Sequence, residues 1–387
     1  MKKNPKNFNI KALVLSSLVT IGMISYLSWG GEEKTLATKE SREPAFYPKQ
    51  YSDDHITANA IVTDPKYKNL ATVRSDAMLA NVVSSFQTSS GGVASSEMEK
   101  GTWLWTPILD QTSAYQQKII AQSKRNGIKN IYLSIDSYLD IYIMADGEEK
   151  ASRKKQFDQK VSDFISLAEK NGMTVDAEAG WRNWSEPGNS YKAFAILDYA
   201  IKFNRSHTEK LRGLQLDVEP YLLPAYKDNK AKVLFNFVNF IDETVARLDK
   251  SDLSLSVVIP EFYDGENDMT PKFTYNGQKN YAISHLLRVL DKREGSKIIV
   301  MSYRNKSEGK DGAIEISKGE ISVAEKFKTK IVLAEETGDV EPPYITFHNT
   351  SKSYYLKQVS LLEKAFSKNK SYNGIAIHYV NSFLDLK

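Results

Sequence analysis

The chain has 387 residues, 41% of them hydrophobic and 11% aromatic, enough for one large domain or two ordinary ones with a real core. Its 52 basic and 48 acidic residues nearly balance and form no dense Lys/Arg stripe, which excludes nucleic acid as the main partner expected. Cysteine is absent, so disulfides, thiolate metal sites and a lipid-bearing cysteine are ruled out; His55, His207, His285, His348 and His378 lack metal-ligand spacing, and neither metal nor cofactor is expected.

Lys2, Lys3, Lys6 and Lys11 precede an apolar run at 12–29, and Glu32 and Glu33 follow it. A positive segment before an apolar one describes an export signal. At about 18 residues the run reaches the lower limit for spanning a bilayer. Residues 1–30 are therefore expected to be either a cleaved signal peptide or a retained anchor, with the remainder secreted or held on the outer face of the bacterial cytoplasmic membrane. Residues 31–100 read as a polar extension, with a short helix at 75–86 and a Gly/Ser-rich linker at its end, "TSSGGVASSE".

Beyond this point short apolar runs alternate with amphipathic ones. Strands are predicted at 102–108, 130–135, 173–179, 213–219, 253–259, 297–303, 330–335 and 374–379. Helical periodicity lies between them, for example at 153–171, 191–204, 230–250, 281–292 and 354–368. The turns "RNG" and "KNG" supply helix C-caps before two of the strands. Eight strands alternating with helices over about 285 residues predict a single (β/α)8 TIM barrel at 101–387. A doubly wound sheet is the runner-up, but its dinucleotide-binding form needs G-x-G-x-x-G after the first strand, and "TWLWTPILDQTS" has none.

In such barrels chemistry belongs at the carboxyl ends of the strands. The spacing D-x-E occurs five times, at Asp146/Glu148, Asp176/Glu178, Asp217/Glu219, Asp264/Glu266 and Asp339/Glu341, so position in a strand must select among them. Asp146/Glu148 and Asp264/Glu266 fall in polar loops, and Asp339/Glu341 in a loop after strand seven. Asp217/Glu219, in "GLQLDVEPY", closes strand four. The period of two puts Gln215, Asp217 and Glu219 on one face, and Pro220 stops the strand. Polar groups directed into a barrel are costly to bury unless paired or needed. Other strand ends add Trp103 and Trp105, Asp176, Glu178, Trp181 and Trp184, Glu261 and Tyr263, and Tyr303, Arg304 and Asn305. The last two strands contribute Glu335, Glu336, His378, Tyr379 and Asn381. Carboxylates among tryptophans and tyrosines suit a sugar: acids for the glycosidic bond, flat apolar faces for the pyranose rings.

These residues resemble two groups of glycosidases. "LQLDVE" on strand four is similar to the D-x-x-D-x-D-x-E signature of family-18 glycoside hydrolases, the chitinases and endo-N-acetylglucosaminidases, and "MSY" on strand six looks like their Met-x-Tyr-Asp motif. That resemblance implies Glu219 as general acid, Asp217 as the group orienting a substrate 2-acetamido nucleophile, and Tyr303 as the ligand of the acetamido oxygen. Arg212 and Gln215 stand at the first acidic positions of the motif, and Arg304 follows the tyrosine. "VEP" with "IVLAEETG" is similar to clan A glycoside hydrolases, which implies Glu219 as acid/base and Glu335 or Glu336 as nucleophile; Val218 stands where those enzymes carry asparagine. The barrel also looks like uncharacterised secreted proteins with "LDVEPY" on strand four. With the N-terminal segment, the resemblances imply an extracytoplasmic, monomeric glycosidase acting on a cell-wall or matrix polysaccharide that contains amino sugars. Trp103, Trp105, Glu178, Trp181, Glu261, Tyr263, Arg304 and Tyr379 are its candidate substrate contacts. A non-catalytic glycan-binding barrel, or a scaffold for envelope partners, stands as the alternative.

Overall fold

The computed structural model describes residues 98–265 and 269–387. The predicted signal or anchor, the extension up to residue 97 with its helix at 75–86, and Glu266 lie outside the described residues, while Glu99 and Lys100, at the predicted end of the extension, begin the first barrel strand. Among the described residues no helix is long and apolar enough to cross a membrane.

Eight parallel strands close into a barrel: β1 (Glu99–Leu104), β2 (Asn130–Ser134), β3 (Thr174–Ala179), β4 (Gly213–Leu216), β5 (Ser254–Pro260), β8 (Lys297–Met301), β9 (Lys330–Glu336) and β10 (Tyr372–His378), with β1 paired to both β2 and β10. The remaining two strands, β6 (Phe273–Tyr275) and β7 (Gln278–Asn280), form a hairpin inserted after β5. Asn276 and Gly277 turn it with positive φ, the geometry an Asn-Gly turn favours. Helices follow the barrel strands at Ser113–Arg125, Glu148–Glu169, Tyr191–Ser206, Lys230–Leu248, Ala282–Leu290, Ala313–Ala324 and Lys352–Phe366, and Val380–Leu384 closes the last unit.

Local chemistry explains the helix ends. Thr112, Asn229 and Ser351 accept the backbone N–H of Tyr115, Lys232 and Tyr354, satisfying donors that have no intrahelical partner. Two helices stop at Gly127 and Gly172, whose positive φ lets the N–H of Ile128 and of Met173 return to Ser123 and Ala168 at 3.0 Å each.

Register and the period of two decide which side chains face the barrel interior. At the amino-terminal end they are Glu99, Asn130, Asp176 and Lys297, joined by Arg212 just before β4. The Arg212 guanidinium donates to Asp176 at 2.6 and 2.8 Å and to Glu99 at 3.1 Å. Lys297 also pairs with Glu99, Asn130 donates to Asp176 at 3.0 Å, and Tyr132 donates to Glu99 at 3.3 Å. Burial alone would push the Glu99 pKa up, but Arg212 and Lys297 hold it at about 2. Asp176, on the strand-three run of acids, therefore sits in a paired network at the far end from the carboxyl-terminal mouth. Farther toward the carboxyl ends of the strands the inward side chains include Trp103, Glu178 and Gln215, and beyond them lies the mouth.

Candidate active site

The β4 ladder ends at Leu216, earlier than the predicted run to 219, yet the Asp217 N–H still reaches Ala179 O at 3.1 Å. Asp217 thus keeps the inward direction of Gln215. The close approach of β3 and β4 depends on Gly180, since a Cβ there would overlap the Asp217 carbonyl. Glu219 lies on the turn that Pro220 starts, before the 3-10 segment Pro220–Leu222. That turn brings Tyr221 back, and its phenol donates to Glu219 Oε1. Glu219 is only 6% exposed. Burial raises its pKa to about 7, while the Tyr221 hydrogen bond and the charges of His378 and Arg182 pull the other way.

On the opposite wall β9 and β10 supply a second pair. Glu336 and His378 are register partners, both inward, and His378 Nδ1 lies 2.6 Å from Glu336 Oε2. Gly338 N–H donates to the other oxygen, Glu336 Oε1, at 2.6 Å. Trp105 Nε1 donates to His378 Nε2 at 3.1 Å. Burial lowers the His378 pKa, but the Glu336 carboxylate, with Asp217 and Glu219 behind it, leaves it above the usual histidine value. The Trp105 N–H opposes that rise, because a protonated imidazole has no lone pair for Nε2 to offer. While Nε2 accepts from Trp105, the proton facing Glu336 is carried on Nδ1.

Tyr303, just beyond β8, lies over this pair with its ring 6.0 Å from the His378 ring. Burial first, then Glu336, Asp217, Glu219 and Glu335, raise its pKa well above the usual phenol value, so its O–H is retained as a donor. Tyr379 sits 5.4 Å from His378, half-buried at the same mouth.

The structure separates the two adjacent glutamates on β9. Glu336 is inward. Glu335 points to the outer face, where Ser302 Oγ donates to it at 3.3 Å and its neighbours include Tyr355 and Tyr372 on the helix side of the sheet. Its pKa is raised by burial there.

The remaining sequence candidates divide similarly. Glu178 is wholly buried one layer below the mouth, and Trp103 is wholly buried between Tyr132 and His378, with ring centroids at 4.9 and 5.4 Å. Neither presents a face to solvent. Tyr263 is also fully buried, packed on Phe262 and Phe237 beneath the rim. Trp181 lies at the mouth with the Arg182 guanidinium 4.7 Å from its ring centroid. Glu261 and Arg304 form a rim pair at 3.6 Å, and Arg304 also binds Asp311 at 3.0 Å. Asp339 of the second "DVEP" is an exposed loop acid 3.5 Å from His348, and Asp146 an exposed one bonded to Lys150. Among the described residues no group of three acidic, histidine or cysteine side chains could hold a metal ion.

Sequence reasoning passes over Asp136, Tyr221 and Arg182. Asp136 is buried two residues past Ser134 on the inward parity of β2, and it accepts the Gly180 N–H. The period-two count that selects Asp217 would have selected it. Tyr221 carried a signal only in its spacing from Glu219, legible once Pro220 is seen to start a 3-10 turn.

No family model matches the sequence, and no curated protein matches it. Among solved structures the chain is similar to the endo-β-1,4-mannanase from Thermotoga petrophila, at 10% identity and TM-score 0.49, covering 74% of this chain and 68% of that one. It is also similar to a family-18 chitinase from Cycas revoluta, at 13% identity and TM-score 0.45 over 74% and 96% of the two chains. The spore cortex-lytic enzyme of Bacillus megaterium matches at 11% identity and TM-score 0.44, over 75% and 74%. At a tenth identity such likenesses do not say which residues react, and the chemistry rests on this chain's own side chains.

Proposed function

We propose that the barrel is an extracytoplasmic glycoside hydrolase acting on an amino-sugar-containing polysaccharide of cell wall or matrix, with Glu219 as its general acid. The observation that carries the reading is the state of Glu219: a buried carboxyl at the end of β4, with a pKa of about 7, at a mouth shared with Asp217, Tyr303 and Glu336. A carboxylic acid must keep its proton near neutral pH to protonate a leaving glycosidic oxygen, and at Glu219 burial outweighs the opposing pull of Tyr221, His378 and Arg182 to achieve it.

In the substrate-assisted form of the reaction, Glu219 gives its proton to the glycosidic oxygen as the C1–O bond breaks. The carbonyl oxygen of the substrate's 2-acetamido group attacks C1, Asp217 holds the acetamido N–H, and Tyr303 donates to its oxygen. Water then attacks C1, the Glu219 carboxylate takes the water's proton, and the acetamido group is released unchanged. Two observations support this form over attack by Glu336: Asp217 shares the inward parity of β4 below Glu219, and both oxygens of Glu336 are engaged by His378 and Gly338.

The test is release of reducing ends from chitin-type, peptidoglycan-type and deacetylated glucosamine polymers by wild type and Glu219→Gln. Cleavage by wild type that falls by roughly 10²-fold or more in the variant supports the reading, the usual range for losing a general acid. Full activity in the variant removes Glu219 from the role. Tight binding with no cleavage by either form replaces the enzyme with a glycan-binding barrel. Asp217→Asn against Glu336→Gln then separates substrate assistance from an enzyme nucleophile.

A further inference from the structure

The helix Tyr191–Ser206 carries an outward stripe that the mouth does not use. Tyr191, Phe194, Ala195, Asp198, Tyr199 and Lys202 fall at i, i+3, i+4, i+7, i+8 and i+11, one face of a helix, and together they line a groove of about 230 Å³. The small Ala195 leaves the hollow, and neighbouring elements raise its walls. These are Tyr138 and Tyr142, from the short helix Tyr138–Tyr142 after β2, and Arg247, from the last turn of the helix Lys230–Leu248. The floor is packed: the Tyr138 and Tyr199 ring centroids lie 4.2 Å apart, Tyr199 meets Phe157 edge-on at 5.3 Å, and the Arg247 guanidinium lies 3.8 Å from the Phe194 ring centroid. Tyr142 and Tyr191 are 41% and 50% exposed, two of the four large hydrophobic side chains exposed among the described residues. Asp198, Lys202 and Arg247 are exposed along the groove, which therefore offers a carboxylate acceptor and cationic donors beside aromatic faces.

A pyranose ring has an apolar C–H face and a rim of hydroxyl groups that both donate and accept, which matches this lining. A protein partner fits it poorly: interface cores are depleted of Lys and Asp, whereas Asp198 and Lys202 line the groove itself. Its volume lies below the ~300–1,000 Å³ of a site that encloses a whole small ligand, so it takes part of a chain whose remainder lies outside. We propose that the groove is a second glycan-binding site on the flank of the barrel, with Tyr142 and Tyr191 stacked on sugar faces and Asp198, Lys202 and Arg247 bonded to the polar groups of the chain. That the occupant is the polymer cut at the mouth rests on the functional reading above. In a barrel each helix starts at the end where its preceding strand finishes. Tyr142, between β2 and the helix Glu148–Glu169, and Tyr191, opening the helix after β3, therefore stand at the same end as Glu219. A polymer held in the groove is kept near the mouth, and two weak sites on one chain bind it more tightly than either alone.

The test is co-sedimentation with insoluble chitin-type, peptidoglycan-type and deacetylated glucosamine polymers, comparing wild type with a variant carrying both Tyr142→Ala and Tyr191→Ala. Both rings are exposed, so the fold is expected to hold. For the polymer that wild type binds, the apparent affinity of the alanine variant is expected to fall roughly 10²-fold, the lower range for losing one of two linked sites. Its kcat and KM on a soluble trimer cut from the same polymer, which read the mouth alone, are expected to stay at wild-type values. Tyr142→Phe with Tyr191→Phe keeps both rings and is expected to retain binding. Wild-type retention by the alanine variant overturns the site, whether or not the protein cleaves glycans, and leaves the exposed tyrosines to a protein partner. Failure of wild type to bind any of the three polymers overturns it as well, as does a phenylalanine pair as impaired as the alanine pair, or an equal loss on the trimer. Binding that weakens in the alanine variant of a protein that cleaves nothing keeps the site and removes the catalytic reading instead.

Discussion

Replacing Glu219 by glutamine should make the protein more stable at alkaline pH while removing its activity. The side chain keeps its size, and Tyr221 can donate to the glutamine carbonyl as it does to Glu219 Oε1. What changes is the ionisation. In the folded protein Glu219 titrates at about 7 against an ordinary 4.5. Because the folded pKa is raised, the folded state holds a proton that the unfolded chain has released, so stability is full below about pH 4.5 and declines as pH rises through about 7. A shift from 4.5 to about 7 corresponds to about 3 kcal/mol once both states are ionised. Glutamine has no such cost. Urea unfolding of both proteins at about pH 4 and about pH 9 should therefore show a stability difference that moves in favour of Glu219→Gln by up to about 3 kcal/mol between the two conditions. A difference that is flat with pH, or that moves the other way, would mean that the carboxyl is not held in a desolvated site, and the general-acid reading would lose its physical basis.

Three further outcomes follow from the same geometry. Tyr221→Phe removes a donor that stabilises the Glu219 carboxylate, so the alkaline limb of kcat/KM, which reports loss of the acid's proton, should move up by about 1 pH unit; a hydrogen bond to a charged group is worth ~1.5–3 kcal/mol. Glu336→Gln removes the first of the carboxylates that hold the His378 pKa above 6.5, so this histidine should titrate lower by NMR; the stability that the raised value contributes is present below about pH 6.5 and lost as pH rises through the folded value. Arg212→Met leaves Glu99 and Asp176 buried beside fewer cations and should cost about 3–5 kcal/mol in denaturant unfolding. In wild type the depressed Glu99 pKa contributes stability that is present above about pH 4.5 and is lost as pH falls toward 2.

The barrel is legible in the sequence because each strand is a short apolar run walled by turn residues, and each such run corresponds to an observed strand. Strand ends are harder to read. The run at 102–108 is largely apolar, but pairing stops at Leu104 and the chain turns through Ile108–Asp110. The β6–β7 hairpin has only three-residue strands with polar members, too short to show a period, although "YNG" marks its turn. Glu335 and Glu336 are adjacent on one strand, so one must face inward and the other outward. Only register with His378 shows which, because composition is identical at the two positions. Depth is equally hidden. Trp103 and Tyr263 look like sugar platforms at strand ends, yet both rings are consumed in packing, which aromatic residues at barrel ends achieve as readily as ligand contact.

The same limit explains why D-x-E spacing selects nothing by itself. In Asp176/Glu178 both residues face inward, as the period of two requires, but they lie a layer apart along the barrel axis. Asp176 meets Arg212 and becomes half of an ion pair that closes the lower end of the barrel. Glu178, one repeat higher, meets only other acids and Gln215. The same residue type at two heights therefore meets opposite surroundings: Asp176 is held by Arg212 in a network that secures the fold, and burial among other acids raises the pKa of Glu178. At the mouth Glu219 lies between these cases, because burial raises its pKa while Tyr221, His378 and Arg182 pull it down, so its height in the barrel and not the D-x-E spacing sets its chemistry.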